Sequence, residues 1–215
     1  MDAVLRIALA GLAGYGIGSI SSGYIVGRLY RNVDLRTVGS GSTGATNTYR
    51  ALGLGAALLV GALDILKGAA AVWLATLVVS APADERTIAS ALAALGAVAG
   101  HCWPAFLEGR GGRGVATGFG TLLFIATPAW LGSVVAFMIA LALTRMVSVG
   151  SLAAVAGAIG GYVFFVATGY LAFHWAVLTF IIAGGAIVII RHRANIQRIV
   201  RGSEPRLGRR PSHPM

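Results

Sequence analysis

Long apolar segments separated by short polar ones run along the whole chain, and most of the apolar segments are long enough to cross a membrane. A membrane-spanning helix needs about 20 mostly apolar residues. Residues 146–190 carry no formal charge and break near Thr168-Gly169, which predicts two spans. Three further segments each predict one span: residues 7–27, 54–83 and 87–107.

Residues 114–144 hold 31 uncharged positions, too many for one straight span and few for two. Pro128 lies near the middle and favours a turn there. Two short spans bring the total to seven. This count places most arginine-containing loops and the arginine-rich C-terminal tail on one side, with only Arg6 and Arg86 opposite. Because positively charged loops face the cytoplasm, we predict seven spans with the N-terminus outside and the C-terminus cytoplasmic.

Composition is typical of an integral membrane protein. Of the 215 residues, 57% are hydrophobic and 11% charged, whereas a soluble domain is about 25% charged. Glycine occurs 31 times, and small residues let membrane helices approach closely. We therefore expect an all-α polytopic transmembrane helix bundle. A single domain is expected over residues 1–204, followed by a disordered basic tail over residues 205–215.

The formal net charge of +10 changes which partners are expected. In a membrane protein, basic loops meet anionic lipid headgroups and anionic substrates, so nucleic acid is not expected. The single cysteine, Cys102, excludes an internal disulfide and a cysteine metal cluster. The histidines are not arranged like a metal site either, so neither a metal nor a cofactor is expected.

The first polar segment, residues 39–47, is rich in glycine and hydroxyl side chains. Backbone N–H groups of such a stretch can form a nest for an anion, and a helix starting near Ala45 would add its positive end. The alternative is a flexible linker, which is the commoner use of a Gly/Ser stretch. The candidate phosphate-binding residues here are Ser40, Gly41, Gly44, Thr46, Asn47 and Arg50.

The second polar segment, residues 109–114, repeats this design with glycine and arginine. Arg113 offers a planar fork that suits phosphate oxygens. Gly111, Gly112 and Gly114 allow a tight loop before a helix that starts near Val115. The alternative is a positive loop that only sets topology. His101, upstream of the loop, is either part of the site or a hydrogen-bonded helix end.

The third polar segment, residues 191–198, continues the last span out of the bilayer. His192, Asn195 and Arg198 follow each other at intervals of three, so they lie along one helix face. Such a face can direct an imidazole, an amide and a guanidinium to one ligand. The alternative is a basic helix end that reaches the interface. Glu204 can neutralise a nearby arginine.

Four further polar residues fall in or beside the predicted spans. Asp64 and Lys67, at i and i+3, form either a functional pair within the membrane or a structural ion pair. Ser148 and Ser151 follow Arg145 and either join the site or serve as helix caps.

These segments resemble the motifs of one family, the bacterial acyl-phosphate-dependent glycerol-3-phosphate acyltransferases (PlsY-type). The similarity spans residues 39–204 in order. Two positions differ, since the family usually has Asn-Pro at Ser42-Thr43 and lysine at Arg113. The matching motifs are Ser40-Gly41, Gly44-Ala45-Thr46-Asn47, Asp64 with Lys67-Gly68, Gly100-His101 with Pro104, Gly111-Gly112-Arg113-Gly114, His192-Arg193, Asn195-Ile196 with Arg198, and Gly202 with Glu204.

The resemblance implies transfer of an acyl group from acyl phosphate to glycerol 3-phosphate, which gives lysophosphatidic acid, the first step of phospholipid synthesis. His192 and Asn195 are expected to be catalytic. The candidate residues of the three polar segments, together with Lys67, His101, Ser148, Ser151, Arg198 and Glu204, are expected to bind the phosphorylated substrates. The expected location is the bacterial inner membrane, with the site facing the cytoplasm and no obligate protein partner. The alternative is a transporter for phosphorylated anions, which the lack of an inverted repeat disfavours.

Overall fold

The computed structural model describes residues 2–79 and 82–208. This part of the chain is all helical apart from its loops, as the sequence predicts, and it contains ten α-helices and one 3₁₀ turn at Ala105–Leu107. The helices are α1 (Ala3–Ser19), α2 (Ser22–Arg31), α3 (Ala45–Leu52), α4 (Leu54–Val78), α5 (Ala83–Cys102), α6 (Val115–Ile125), α7 (Thr127–Thr144), α8 (Val147–Ala167), α9 (Trp175–Arg191) and α10 (Arg193–Val200).

Five helical segments of the described chain are long and apolar enough to cross a membrane. They become six if α9 and α10, which meet at 61°, count as one span. The predicted span that remains is α6, which has 11 residues. At about 1.5 Å per residue, α6 is about 16 Å long, roughly half of a ~30 Å hydrocarbon core.

Two helix breaks differ from the sequence prediction. The predicted first span is interrupted at Ile20 and Ser21, between α1 and α2. The turn expected at Pro128 lies two residues earlier, at Ala126, where φ is −157° and ψ is 77°. Pro128 itself lies in the first turn of α7, where the missing N–H of proline costs no helical hydrogen bond.

Small residues bring the helices of the bundle into backbone contact. Gly14 and Gly18 of α1 lie directly against the backbone of Ala93 and Ala97 of α5, leaving no room for a Cβ atom. Gly68 of α4 lies in the same way against α6. The abundance of glycine is therefore used largely for packing, as expected in membranes.

The main apolar core joins α5, α6, α8 and α9, with single residues from α4 and α7, and Val98, Tyr162 and Phe180 are among its buried members. It places the start of α6 beside the end of α9, where the second and third polar segments lie. Beyond Glu204 the chain still contacts the bundle, because the Leu207 N–H donates a hydrogen bond to Arg145 O at 2.7 Å. Residues 209–215 of the predicted tail lie outside the described residues.

Candidate active site

Asn47 organises the first polar segment from within. It lies in the first turn of α3 with 2% of its surface exposed. Its Nδ2 lies within hydrogen-bonding distance of three carbonyl oxygens, and its Oδ1 accepts a hydrogen bond from Ser40 N at 2.9 Å. The three carbonyls belong to Leu35, Val38 and Ser42, at 3.0, 3.0 and 2.9 Å. Asn47 is therefore committed to holding this loop in shape.

The outer side of the same segment carries the remaining candidates. Gly39 and Gly41 adopt left-handed φ values of 58° and 68°, which turn the backbone sharply. Ser40 and Arg50 are exposed, and Thr46 is half-buried. Gly44 is the residue before α3 and forms its N-cap.

The second polar segment is fixed from two directions. Gly112 N donates a hydrogen bond to His101 O at 3.0 Å, and its Cα lies so close to the His101 imidazole that a Cβ atom would overlap the ring. From the other side, Arg191 donates from Nε to Gly112 O at 3.0 Å and from Nη2 to Gly111 O at 3.2 Å. The Arg191 guanidinium also lies over the Trp103 ring, 5.6 Å from its centroid. The loop before Arg113 is thereby held from both sides.

Arg113 is where the three polar segments converge. Burial lowers the pKa of its guanidinium to about 10, and the positive charges of Arg198, Arg50 and Arg191 act in the same direction, while Glu204 opposes them. The group thus remains protonated at neutral pH. Its charged neighbours come from the first segment and from the third segment with its following turn. None of the hydrogen bonds between described residues involves the Arg113 side chain.

His192 lies at the bend between α9 and α10, with 1% of its surface exposed. Its Nδ1 is 2.8 Å from Val188 O. A carbonyl oxygen only accepts hydrogen bonds, so Nδ1 carries the hydrogen and Nε2 of the neutral ring is an acceptor.

Glu204 ties the end of the chain to the third segment. It accepts hydrogen bonds from Asn195 Nδ2 at 2.6 Å and from Arg198 Nε at 2.7 Å. Burial disfavours the charged carboxylate, but Ser148, Asn195 and Arg198 hold its pKa below the usual value. The buried Ser148 Oγ makes no hydrogen bond of full geometry within the described chain, so Asn195 and Arg198 are the two groups that hold the carboxylate by regular hydrogen bonds. Glu204 is therefore ionised at neutral pH, as an acceptor for Asn195.

Lys67 and His101 belong to a buried polar cluster around Asp64. Both are buried beside Asp64, with Lys67 Nζ at 2.8 Å and His101 Nδ1 at 3.4 Å from Asp64 Oδ1. Lys67 also donates to Ile20 O at 2.8 Å, and Ser22 Oγ donates to Asp64 at 2.9 Å. In this geometry His101 contacts Gly112 and Lys67 pairs with Asp64, and the expected phosphate-binding role of both residues stays a prediction.

An apolar cavity of about 60 Å³ begins next to the site. Its near end includes Gly114, Ser151 and Val188, and Val188 is the residue whose carbonyl binds His192. It continues between α6, α8 and α9 as far as Leu122 and Phe180. Ser151 lines the cavity but donates its hydroxyl hydrogen to Val147 O at 2.9 Å, so it contributes little polarity.

Sequence reasoning missed two parts of this arrangement. Arg191 belongs to the third polar segment, but nothing in a run of basic residues distinguishes the one that clamps a neighbouring loop. Ser22 was missed because the break at Ile20 lies within an uncharged stretch. A serine run at residues 19, 21 and 22 is the only signal that this stretch contains a polar break.

The fold and the site define an all-helical, multi-pass membrane protein with a polar, arginine-rich site beside an apolar cavity. Comparison with known proteins identifies the family within this class. A family model described as glycerol-3-phosphate acyltransferase matches residues 8–202. A glycerol-3-phosphate acyltransferase of Synechococcus sp. (strain JA-3-3Ab) is 45% identical over 98% of both chains. Glycerol-3-phosphate acyltransferase 3 of Dehalococcoides mccartyi (strain ATCC BAA-2266 / KCTC 15142 / 195) is 37% identical over 95% of this chain and 97% of its own.

Two solved structures of PlsY (YgiH), an integral membrane glycerol 3-phosphate acyltransferase, have the same fold. Its glycerol 3-phosphate form has a TM-score of 0.79 and 35% identity, and its lysophosphatidic acid form has 0.76 and 34%. Each alignment covers 97% of this chain and 96% of the solved one. The chain belongs to the glycerol-3-phosphate acyltransferase family. It is a multi-pass membrane acyltransferase of phospholipid synthesis that acylates glycerol 3-phosphate, and the resemblance noted from its motifs is confirmed.

Proposed function

We propose that the acyl donor is acyl phosphate and that the products are lysophosphatidic acid (1-acyl-glycerol 3-phosphate) and inorganic phosphate. The convergence of cationic side chains on Arg113 carries this proposal. Both substrates have a phosphate, and together they bring more negative charge than one arginine can balance. Arg50, Arg113 and Arg198 supply cations from three separate parts of the chain. Guanidinium groups bind phosphate oxygens in a planar, bidentate manner.

The chemistry requires no covalent intermediate on the enzyme. Acyl phosphate is an activated mixed anhydride, so a glycerol oxygen attacks its carbonyl carbon, the carbon–oxygen bond to phosphate breaks, and phosphate leaves. The protein has to position two substrates and stabilise the charge that develops. The hydroxyl proton goes to His192 Nε2, the free acceptor of a ring whose tautomer is set by Val188. A substrate phosphate is the competing base.

The apolar cavity supports a fatty donor and product. It begins at Gly114, directly after Arg113, and its wall is formed mainly by carbon-rich side chains of α6, α8 and α9. A cavity of this size holds the first few carbons of an acyl chain, with the carboxyl end beside the phosphate-binding arginine. The likeness of the fold to the lysophosphatidic acid form of PlsY supports the same product.

The topology that suits this chemistry has seven spans, with α6 as a short crossing and the site facing the cytoplasm of a bacterial inner membrane. The motivation is the asymmetric distribution of arginines. Single cysteines introduced into a Cys102→Ala background at Arg36, Arg110 and Arg201 are expected to react with a membrane-impermeant maleimide only after the membrane is opened. Labelling of position 201 in intact cells contradicts the proposed orientation.

Purified protein in detergent, given acyl phosphate and glycerol 3-phosphate, tests the donor. We expect phosphate release and lysophosphatidic acid in equal amounts, and little or no turnover with acyl-CoA. The exposed-amide variant Gln197→Ala is the control for handling, because Gln197 lies on the outer side of α10. Robust turnover with acyl-CoA and none with acyl phosphate rejects the proposed donor while leaving the acceptor intact.

A further inference from the structure

A second cavity lies at the surface of the bundle, between the α7–α8 turn and the segment that follows Glu204. Its volume is about 180 Å³. In the liquid, water occupies about 30 Å³ per molecule, so this space can hold a phosphate group together with several waters. None of its lining residues belongs to the candidate active site. They are Leu143, Thr144, Arg145, Arg206 and Leu207.

Backbone hydrogen bonds hold the two walls of this surface cavity together. The Leu207 N–H donates to Arg145 O at 2.7 Å, and Met146 N donates to Thr144 Oγ1 at 3.1 Å. Arg145 has a φ of 59°, a left-handed conformation that is uncommon for a residue with a side chain. The α7–α8 turn and the C-terminal segment therefore face each other with a defined backbone geometry.

Two arginines share this cavity without a countercharge. None of the ion pairs and side-chain hydrogen bonds between described residues involves the guanidinium of Arg145 or Arg206. Glu204, the acidic residue that precedes Arg206 in this segment, is already used by Asn195 and Arg198. Two positive charges in one cavity repel each other unless an anion lies between them. The arrangement therefore fits an anionic ligand.

The surface cavity lies at the level where the hydrocarbon core of a membrane ends. Helix α7 has 18 residues and is apolar enough to cross a membrane, and its length of about 27 Å is close to the ~30 Å of the hydrocarbon. Leu143, in its last turn, is 80% exposed on the outside of the bundle. The arginines thus lie at headgroup depth, beside an apolar surface that faces lipid tails.

We propose that this cavity binds the phosphate headgroup of an anionic phospholipid from the surrounding bilayer, with Arg145 and Arg206 on the phosphate oxygens. Planar guanidinium groups bind phosphate in a bidentate manner, and basic pockets beside membrane helices bind anionic headgroups. A lipid fits better than a free phosphate ion, because Leu143 offers its acyl chains an apolar surface next to the charges. The inference is independent of the acyl donor. Since Arg206 lies two residues after Glu204, the bound lipid also restrains the segment that carries Glu204.

Thermal unfolding of the purified full-length protein in detergent, followed by tryptophan fluorescence, tests the site. Dioctanoyl phosphatidylglycerol is expected to raise the Tm of the parent by about 4–8 °C at a roughly 30-fold excess over its dissociation constant. The double variant Arg145→Asn/Arg206→Gln should keep about 2 °C or less of this shift. Asparagine tolerates a left-handed φ, so the α7–α8 turn is retained in the variant.

Two further variants separate this site from general electrostatic attraction. Arg31→Gln/Arg201→Gln removes two exposed arginines elsewhere and changes the net charge equally, so it should keep the parent shift. The single variant Arg206→Gln changes one exposed side chain near the end of the described chain and should show an intermediate shift. This intermediate value keeps the proposal testable if the double variant does not fold.

Two further ligands identify the source of the phosphate. Dioctanoyl phosphatidylcholine, which has no net charge, should leave the Tm within about 1 °C in every variant. Inorganic phosphate should shift the parent and the double variant equally, because it reaches the candidate active site in both.

Three results overturn the inference. If the double variant keeps the full phosphatidylglycerol shift, the lipid binds elsewhere. Equal shifts with phosphatidylcholine and phosphatidylglycerol show that charge is not recognised. If the double variant loses its shift with inorganic phosphate as well, the cavity binds a free ion and not a lipid.

Discussion

Arg191 donates a hydrogen bond from Nε to the carbonyl oxygen of Gly112 at 3.0 Å, so the last residue of α9 holds the loop that carries Arg113. A second bond from the same guanidinium to the neighbouring carbonyl makes the contact bidentate. The third polar segment therefore acts on the second before any substrate is present. Preorganisation of this kind reduces the ordering that substrate binding would otherwise require.

Replacing Arg191 by lysine is expected to weaken substrate binding more than catalysis. A lysine ammonium keeps the charge but cannot reproduce the planar fork that reaches two carbonyls. The KM for glycerol 3-phosphate should rise about tenfold, with kcat changed less. Arg193→Lys, on an exposed arginine two residues later, is the matched control and should remain within a factor of two of the parent. Equal KM values for the two variants contradict a clamping role.

A substitution at Gly112 tests the same loop from the side that faces His101. A Cβ atom at this position overlaps the His101 ring, which is itself packed beside Asp64. We expect Gly112→Ala to lower kcat/KM by about 100-fold or more, because the loop has to move away from the arrangement that directs Arg113. Gly55→Ala is the control, since a Cβ at Gly55 meets nothing within 4 Å. Parent-like activity of both variants contradicts the requirement for close contact.

The sequence predicted that the three polar segments lie together, while the roles of their individual residues stay predictions. Glycine, hydroxyl and arginine in three polar segments indicated phosphate chemistry, and those segments do converge on Arg113. The sequence pattern does not show which polar atoms form hydrogen bonds within their own loop. Asn47 has the residue type of a ligand-binding side chain, yet its donors and acceptor are used by its own loop. Such pairing depends on loop conformation, which hydropathy does not encode.

The sequence also predicted only part of the fold. Apolar length predicted the long helices, because a bilayer requires about 20 residues of them. It located the break near Thr168, where α8 ends, but not the breaks at Ile20 and Ala126, which are apolar residues at which helices end. The break at Ile20 exposes a carbonyl that Lys67 uses, so this local departure from regular helix is stabilised by a side chain from α4.

The buried ion pair of Asp64 and Lys67 predicts a strong asymmetry between single and double variants. Asp64→Asn leaves the Lys67 ammonium buried without a countercharge, which costs about 3–5 kcal/mol of unfolding free energy. The double variant Asp64→Asn/Lys67→Met removes both charges and is expected to recover most of this loss. Thermal unfolding in detergent, followed by tryptophan fluorescence, measures it. A single variant as stable as the exposed control Glu108→Gln contradicts the buried-pair description.

Asp34 makes stability depend on acidity. Its carboxylate is bound by Arg36, with Nη2 at 2.8 Å, and by Arg28 at 3.1 Å. The side-chain hydrogen bond from Arg36 lowers the pKa of Asp34 to about 2 from 3.8, despite partial burial. A pKa lowered by folding stabilises the folded state above the unfolded value, and this contribution is lost as pH falls through the folded value. Asp34→Asn should therefore lower Tm by about 2–4 °C at pH 6, with the gap closing below pH 4. Asp2→Asn, at the exposed start of α1, should show no such gap.

Arg113 and His192 are expected to affect different kinetic constants. In the proposed function, Arg113 binds a formal charge that the phosphate carries before and after reaction, so its contribution is similar in the ground state and the transition state. Arg113→Ala should raise KM by tens-fold, since a hydrogen bond to a charged group contributes roughly 1.5–3 kcal/mol. Arg113→Lys keeps the charge and should recover much of that binding. In the proposed function, His192 acts on a proton that moves only during reaction, so His192→Ala should lower kcat by about 100-fold or more with little change in KM. Both constants are measured from phosphate release, after gel filtration has shown a parent-like elution volume for each variant. A His192→Ala protein that changes KM alone makes the bend between α9 and α10 a phosphate clamp, and assigns the hydroxyl proton to a substrate phosphate.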